Sequence, residues 1–110
     1  MGFKLTKRSK YHNIKTVVDG VTFDSRKEAA RYVVLKELER AGKIRELQLQ
    51  PRYELVVKNV RICRYVGDFR YYDCATNKYV VEDAKGVLTP VNRLKKKLMK
   101  VLYGITITEV

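Results

Sequence analysis

The sequence predicts one α/β domain in which a central mixed sheet is flanked by helices, preceded by a basic N-terminal arm and a small hairpin. The first observation behind this fold class is the alternation of helical and β-prone segments along the chain. The second is the length of 110 residues, which suits a single domain. The third is a hydrophobic fraction of 45%, which allows a core and excludes wholesale disorder. We place the arm at residues 1–15 and the folded domain at residues 16–110.

The first folded elements are expected to be a hairpin and a helix. Asp19-Gly20 separates two short β-prone runs, and this dipeptide accepts the positive φ angles of a tight hairpin turn. A helix is expected over residues 26–41, because Ser25 and Glu28 form a capping-box pattern and Gly42 follows as a stop. Its expected apolar face consists of Ala30, Val34, Leu38 and Ala41.

The remaining elements are expected to be strands around a second helix. Strands are predicted at residues 44–50, 53–57, 60–72 and 79–85, and a last strand at 105–108. Thr89-Pro90 suits the start of a helix, and Gly104 suits its end. The apolar stripe of this helix would contain Leu94, Leu98, Val101 and Leu102. Its basic face would contain Arg93, Lys96, Lys97 and Lys100.

Basic residues are concentrated at two places in a chain of formal net charge +12. Residues 1–16 and residues 90–103 each contain five basic residues and no acidic one. Such a surface favours a polyanionic partner, since neutralised phosphates release condensed counterions. The alternative is a solvated basic face that serves solubility. The candidate DNA contacts are Lys7, Arg8, Lys10, Lys15, Arg93, Lys96, Lys97 and Lys100.

Several classes of protein are excluded by composition. Cys63 and Cys74 have neither the CxxC spacing of a zinc site nor the number expected of a disulfide scaffold, and they suit a reducing compartment. No apolar run approaches the length of a membrane span, and no signal-peptide core follows the basic start. We therefore expect a cytoplasmic protein without a membrane partner.

Two predicted strands bring chemistry-bearing residues together. Asp68 lies among β-prone residues, and on the following strand Asp83 and Lys85 share one face while Glu82 points to the other. If the strands form a hairpin, Asp68 can lie opposite Asp83. Neighbouring carboxylates repel one another unless a hard cation such as Mg²⁺ or Mn²⁺ neutralises them. A metal with an adjacent lysine is what phosphodiester hydrolysis needs.

Asp68, followed fifteen residues later by Asp83-Ala84-Lys85, resembles the D…(D/E)xK signature of the PD-(D/E)XK nuclease superfamily. The resemblance implies a restriction-endonuclease-like αβββαβ core. It implies that Asp68 and Asp83 bind Mg²⁺ or Mn²⁺ together with the backbone carbonyl of Ala84, and that Lys85 is the catalytic lysine. Glu28 matches an additional acid that many members use as a catalytic residue or accessory ligand. Gly67 stands where the superfamily's name-giving proline would be.

A narrower resemblance involves longer segments. These are Lys10-Tyr11-His12-Asn13, Phe23-Asp24-Ser25, Lys27-Glu28-Ala29, Leu49-Gln50-Pro51 and Glu82-Asp83-Ala84-Lys85-Gly86. They resemble small phage-encoded proteins that are grouped with Holliday junction resolvase-like and transposase-type endonucleases. This resemblance implies a metal-dependent, structure-selective endonuclease for branched DNA. It also implies DNA recombination in a bacterial host cell and a homodimer that cuts both strands.

Alternatives stay open at this point. The carboxylate of Glu28 could serve the helix cap instead of a site, and His12 could be an exposed arm residue. The strand tyrosines could stack on bases or pack in the core; they are Tyr65, Tyr71, Tyr72 and Tyr79. The chain could also be a non-catalytic nucleic-acid-binding module, or a sequence-directed nicking endonuclease that works with a partner.

Overall fold

The computed structural model describes residues 15–84 and 89–110, which form a single α/β domain as the sequence predicts. The elements in chain order are β1 (Thr16–Val18), β2 (Val21–Phe23), α1 (Arg26–Arg40), β3 (Ile44–Leu49), β4 (Arg52–Val57), β5 (Val60–Val66), β6 (Phe69–Asp73), β7 (Lys78–Asp83), α2 (Pro90–Tyr103) and β8 (Thr108–Glu109). Within the described ranges, no helix is long and apolar enough to cross a membrane.

A mixed four-stranded sheet forms the centre of the domain, with the strand order β3-β6-β7-β8. β6 pairs antiparallel with both β3 and β7. β8, which follows α2 in the chain, pairs parallel with β7. Two separate hairpins, β1–β2 and β4–β5, complete the β structure. The predicted hairpin turn at Asp19-Gly20 is present, with both residues at positive φ.

The two faces of the central sheet pack against different helices. Phe69 and Tyr71 of β6 share a core with α1 residues such as Leu35, and we call this side of the sheet the α1 face. Val81 of β7 packs with Met99 of α2, and we call the opposite side the α2 face. Since side chains alternate along a strand, neighbouring residues of β6 and β7 belong to different faces.

Both helices begin where the sequence predicts, and α2 ends at Gly104 as predicted, whereas α1 ends at Arg40, one residue before its predicted end. The hydroxyl of Ser25 accepts a hydrogen bond of 3.1 Å from the amide of Glu28, and Thr89 caps α2 in the same way. Gly104 has the left-handed conformation that ends α2. These caps satisfy amides that have no partner inside the helix.

The predicted strand over residues 60–72 is wrong, because it is two strands in different sheets. β5 pairs with β4, and β6 pairs with β3 and β7. Between them the amide of Gly67 donates to the Pro51 carbonyl, and the amide of Asp68 donates to the Glu82 carbonyl. The sequence hides this break because both sides of it are rich in β-prone residues.

The buried faces of the helices also differ from the prediction. In α1 the buried residues are Glu28, Ala29, Tyr32 and Leu35, whereas Ala30 and Val34 are exposed. The helix thus buries the carboxylate of Glu28 and the phenol of Tyr32. A search for a stripe of apolar residues does not identify these positions. In α2 Met99 is the buried residue, while Leu94 and Val101 are 55% and 78% exposed. The last strand is Thr108–Glu109, which shares only Thr108 with the strand predicted at residues 105–108.

Gly67→Ala should destabilise the domain, because a methyl group at the passage from β5 to β6 would require the buried side chains around it to shift. A Cβ at this position would lie 3.0 Å from Cγ1 of Val81 and 3.4 Å from Cγ of Pro51. We expect the free energy of unfolding to fall by about 1–3 kcal/mol, the usual cost of overpacking. Urea denaturation measures this change, and Val66→Ala at an exposed neighbouring position is the control. A variant as stable as the wild type would contradict the tight packing.

Candidate active site

Two buried carboxylates lie where β6 begins and β7 ends. Asp68 precedes Phe69, which pairs with Glu82, and Asp83 directly follows Glu82. Asp68 and Asp83 are 4% and 6% exposed, and strand alternation assigns the side chains of both to the α2 face. We call Asp68 and Asp83 the carboxylate pair. The amide of Ala84 donates a hydrogen bond of 2.6 Å to Oδ2 of Asp68. The strands therefore pair as expected.

Tyr65 of β5 contacts this pair from the neighbouring hairpin. Its hydroxyl donates a hydrogen bond of 3.3 Å to Oδ2 of Asp83. Burial of the phenol, together with the negative charges of Asp83 and Asp68, raises the pKa of Tyr65 well above its ordinary value. The hydroxyl therefore keeps its proton at neutral pH and acts as a donor to the carboxylate.

Lys96 supplies the positive charge nearest to Asp83 among the contacts described. Its ammonium lies 3.6 Å from Oδ2 of Asp83 and 2.7 Å from Oε2 of Glu109 on β8. The Lys96 side chain is only 13% exposed. The predicted placement of Lys96 on a basic face opposite the apolar stripe of α2 is thus wrong, because Met99, three residues later, packs in the core and this side of the helix faces the sheet.

Glu82 belongs to the α1 face and forms a separate buried network. It accepts hydrogen bonds of 2.8 Å and 2.6 Å from Nε and Nη2 of Arg31, and a further bond from the hydroxyl of Tyr71. The bond to Glu82 raises the pKa of Arg31. Burial, and then the bond to Glu82, raises the pKa of Tyr71. Glu82 is therefore compensated by its own partners and does not face the carboxylate pair.

Glu28 is buried in the first turn of α1, where its amide completes the Ser25 cap. In the described residues, no three His, Cys, Asp or Glu side chains form a group that could hold a metal ion. The structure therefore does not join Glu28 to the carboxylate pair as a third ligand. The predicted residues Lys85, Lys7, Arg8, Lys10 and His12 lie outside the described residues.

The carboxylate pair nevertheless has suitable chemistry for a hard divalent cation. Mg²⁺ is often held by one or two carboxylates, with water and substrate phosphate filling the other positions. Asp68 and Asp83 supply two such carboxylates from adjacent strands, and the carbonyl of Ala84 follows directly in the chain. The donor set fits this kind of site without a third acidic side chain.

The remaining predicted DNA contacts are at the surface. Arg93, Lys97 and Lys100 are exposed on α2 and form a basic surface without Lys96. Lys15 is exposed as well, and its ammonium lies 3.3 Å from Oδ1 of Asp24. These positions leave cationic side chains accessible to a polyanion.

The sequence does not predict Tyr65 or Glu109 as site residues, and it predicts Lys96 only as a DNA contact. Lys96 has basic neighbours on both sides, so its sequence context does not distinguish it from them. Tyr65 is one of several strand tyrosines for which the sequence leaves base stacking and core packing open. Glu109 could have been noticed in the sequence, because it is the only acidic residue after Asp83 and follows a strongly basic segment.

The chain belongs to the family described as "Protein of unknown function (DUF1064)", whose family model matches residues 8–108. The match includes both carboxylates and both helices. No curated protein matches the chain significantly, and neither does any solved structure.

The raised pKa values of Tyr65 and Tyr71 should make the domain less stable at high pH. Below about pH 10 both tyrosines are protonated whether the chain is folded or unfolded, and their contribution is complete. Above about pH 10, the tyrosine hydroxyls lose their protons in the unfolded chain but keep them in the folded chain. The free energy of unfolding should then fall by about 1.4 kcal/mol per pH unit for each tyrosine.

Urea denaturation at several pH values from about 9 to about 11 measures this slope. The double variant Tyr65→Phe/Tyr71→Phe should show a shallower decrease than the wild type, and Tyr103→Phe controls for loss of an exposed hydroxyl. A double variant with the slope of the wild type would contradict this prediction.

Proposed function

We propose that this member of the DUF1064 family is a metal-dependent endonuclease that hydrolyses phosphodiester bonds in DNA and prefers branched substrates. The observation that carries the proposal is the burial of Asp68 and Asp83 side by side on adjacent strands. Burying ionised carboxylates is costly without compensating charge. The buried pair is thus supporting evidence for a site with a function beyond folding.

Asp68 and Asp83 would hold Mg²⁺ or Mn²⁺ together with the carbonyl of Ala84. When bound, such a metal polarises phosphate oxygens and lowers the pKa of a coordinated water. Tyr65 keeps its proton and orients the Asp83 carboxylate through its hydrogen bond. Lys85, two residues after Asp83, is the proposed catalytic lysine that stabilises negative charge developing on the phosphate.

The surrounding cations would hold the DNA by its backbone. Arg93, Lys97 and Lys100 are exposed on α2, the helix that also carries Lys96 to Asp83. Phosphate contacts of this kind position a duplex without reading its sequence. The preference for branched DNA and the homodimer rest on the resemblance to junction-cleaving nucleases.

A second candidate function is a nucleic-acid-binding module without catalysis. The position of Lys96 favours this alternative, since its ammonium already places a positive charge 3.6 Å from Asp83. A carboxylate compensated by a lysine is stable without a metal. The third alternative, a sequence-directed nicking endonuclease with a partner, would differ in cutting linear duplex at particular sequences.

Cleavage of a labelled four-way junction tests the proposed function directly. The wild type should cut the junction with Mg²⁺ or Mn²⁺, and it should cut the matched linear duplex far less. Asp83→Ala should lose cleavage by at least about a hundredfold, as expected when a metal ligand is removed. Asp73→Asn, at the other end of β6, is the control and should cut like the wild type.

Binding to both DNA substrates without cleavage under any metal would overturn the nuclease proposal in favour of the binding module. Sequence-dependent cuts on the linear duplex would instead identify the nicking alternative. EDTA should abolish every cut, and cleavage that persists in EDTA would contradict the metal-dependent mechanism.

Saturating Mg²⁺ or Mn²⁺ should raise the melting temperature of the wild type, because a ligand that binds the folded state alone stabilises it. The gain should shrink in Asp68→Asn, which removes one charge from the carboxylate pair, and it should persist in Asp73→Asn. Differential scanning fluorimetry with and without metal measures the shift. An equal gain in wild type and Asp68→Asn would remove Asp68 from the site.

A further inference from the structure

The α2 face of the central sheet also contains four side chains that are exposed or half-buried. They are Arg45 of β3, Arg70 and Tyr72 of β6, and Tyr79 of β7. Arg45 pairs with Tyr72, and Tyr72 pairs with Tyr79, so the three residues form one row across the sheet. We call these four residues the tyrosine–arginine surface.

The rings and guanidinium groups of this surface are in mutual contact. The ring centroids of Tyr72 and Tyr79 are 5.2 Å apart, at an interplanar angle of 74°. The guanidinium of Arg45 lies 4.3 Å from the ring centroid of Tyr72, and that of Arg70 lies 4.1 Å from that of Tyr79. Cation–π contacts of this kind hold the side chains in place at the surface.

The strand tyrosines thus divide into two groups. Tyr65 and Tyr71 are buried at 2% and 7% exposure, and each donates a hydrogen bond to a buried carboxylate. Tyr79 is 47% exposed and Tyr72 is half-buried, so neither is needed to fill the core. The rings of Tyr72 and Tyr79 are therefore accessible to a ligand, whereas Tyr65 and Tyr71 stabilise buried carboxylates inside the fold.

The charge of the surface suits an anionic ligand. Glu46 lies at its edge, where its carboxylate accepts a hydrogen bond of 2.9 Å from the Tyr79 hydroxyl and lies 3.6 Å from Nε of Arg45. Glu46 has a positive φ at an irregularity in the β3–β6 register, which turns it toward these partners. Two guanidinium groups against one carboxylate leave the surface with net positive charge.

We propose that the tyrosine–arginine surface binds a segment of single-stranded DNA. Unpaired bases stack on aromatic side chains whatever their sequence, and arginine adds cation–π and phosphate contacts. A duplex keeps its bases stacked on one another, so it offers these rings no free base face. The surface therefore distinguishes an unpaired strand from a duplex, which basic residues alone do not do.

The surface lies on the same face of the sheet as the carboxylate pair. Asp83 is four positions after Tyr79 on β7, a distance of about 13 Å along an extended strand. This is the length of about four stacked nucleotides at ~3.4 Å each. An unpaired strand bound here would lead toward Asp68 and Asp83, as the flank of a branch point would. That link to cleavage rests on the proposed function, whereas binding of the strand does not.

Fluorescence anisotropy with a labelled oligothymidylate of about 12 nucleotides tests the proposal on the full chain. The double variant Tyr72→Leu/Tyr79→Leu should bind at least about tenfold more weakly, since leucine keeps bulk but offers no ring for stacking. Tyr72→Phe/Tyr79→Phe should stay within about twofold of the wild type, because the rings remain. Arg70→Gln should lower the salt dependence of binding, with a slope smaller by about 0.7.

Tyr103→Leu is the matched control, because Tyr103 is also exposed and its ring lies 5.3 Å from that of Tyr53 in an edge contact. It should bind the oligothymidylate like the wild type. A duplex of the same length should bind equally to the wild type and to the leucine double variant. An oligouridylate probe measures whether the surface also accepts RNA.

Two outcomes would overturn the proposal whether or not the chain cleaves DNA. One is an unchanged affinity of the folded leucine double variant for oligothymidylate. The other comes from the wild type, photocrosslinked to a bromouridine-substituted strand: crosslinks that map away from Tyr72 and Tyr79 would exclude this surface. Weakened single-strand binding in a chain that cuts no junction would instead support the surface and remove the nuclease proposal.

Discussion

Glu82 and Asp83 are consecutive buried acids whose side chains point to opposite faces of one sheet, and each needs compensation from a different direction. Arg31 comes from α1 and reaches Glu82, while Lys96 comes from α2 and reaches Asp83. Tyr71 and Tyr65 add one hydroxyl donor on each side. A buried carboxylate without such partners would destabilise the fold by several kcal/mol. The charges of β7 therefore help to fix how both helices lie on the sheet.

The two compensated acids differ in what they leave available. Arg31 binds both oxygens of Glu82, and a bidentate pair of this kind is geometrically specific and strong. Lys96 divides its ammonium between Asp83 and Glu109, and the longer of its two contacts is the one to Asp83. On the α1 face, both carboxylate oxygens of Glu82 are therefore bound by Arg31. The α2 face keeps a carboxylate whose lysine partner is shared, beside Asp68, and this asymmetry supports our proposal that the site is on this face.

Much of the fold could be predicted because local signals and tertiary packing agree. Helix caps, turn residues and strand runs gave the element order, since each depends on residues within a few positions of one another. The break at Gly67 could not be predicted from them, because it depends on the distant carbonyls of Pro51 and Glu82. The buried side of α1 was hidden for a similar reason, since its burial of Glu28 follows from packing and not from hydrophobicity.

The candidate site was predictable to the extent that strand alternation and pairing determine it. Asp68 and Asp83 are brought together by the hairpin, as their spacing predicted. Lys96 lies on α2 and Glu109 on β8. Their positions depend on how α2 packs on the sheet and on the pairing of β8 with β7. No local sequence pattern specifies where β8 pairs, so the sequence predicts Lys96 only as a DNA contact on the basic face of α2.

β8 is only two residues long and lies at the edge of the sheet, where it pairs with β7 and where Lys96 binds Glu109. Short edge elements open at low free energy, far below that of global unfolding. Each opening would separate Glu109 from Lys96 and expose the end of β7 to water. The ammonium would then have Asp83 as its remaining partner, so the electrostatic environment of the carboxylate pair would alternate on the timescale of a local fluctuation. The pairing of the last strand with β7 thus determines whether Lys96 is shared between Asp83 and Glu109 or binds Asp83 alone.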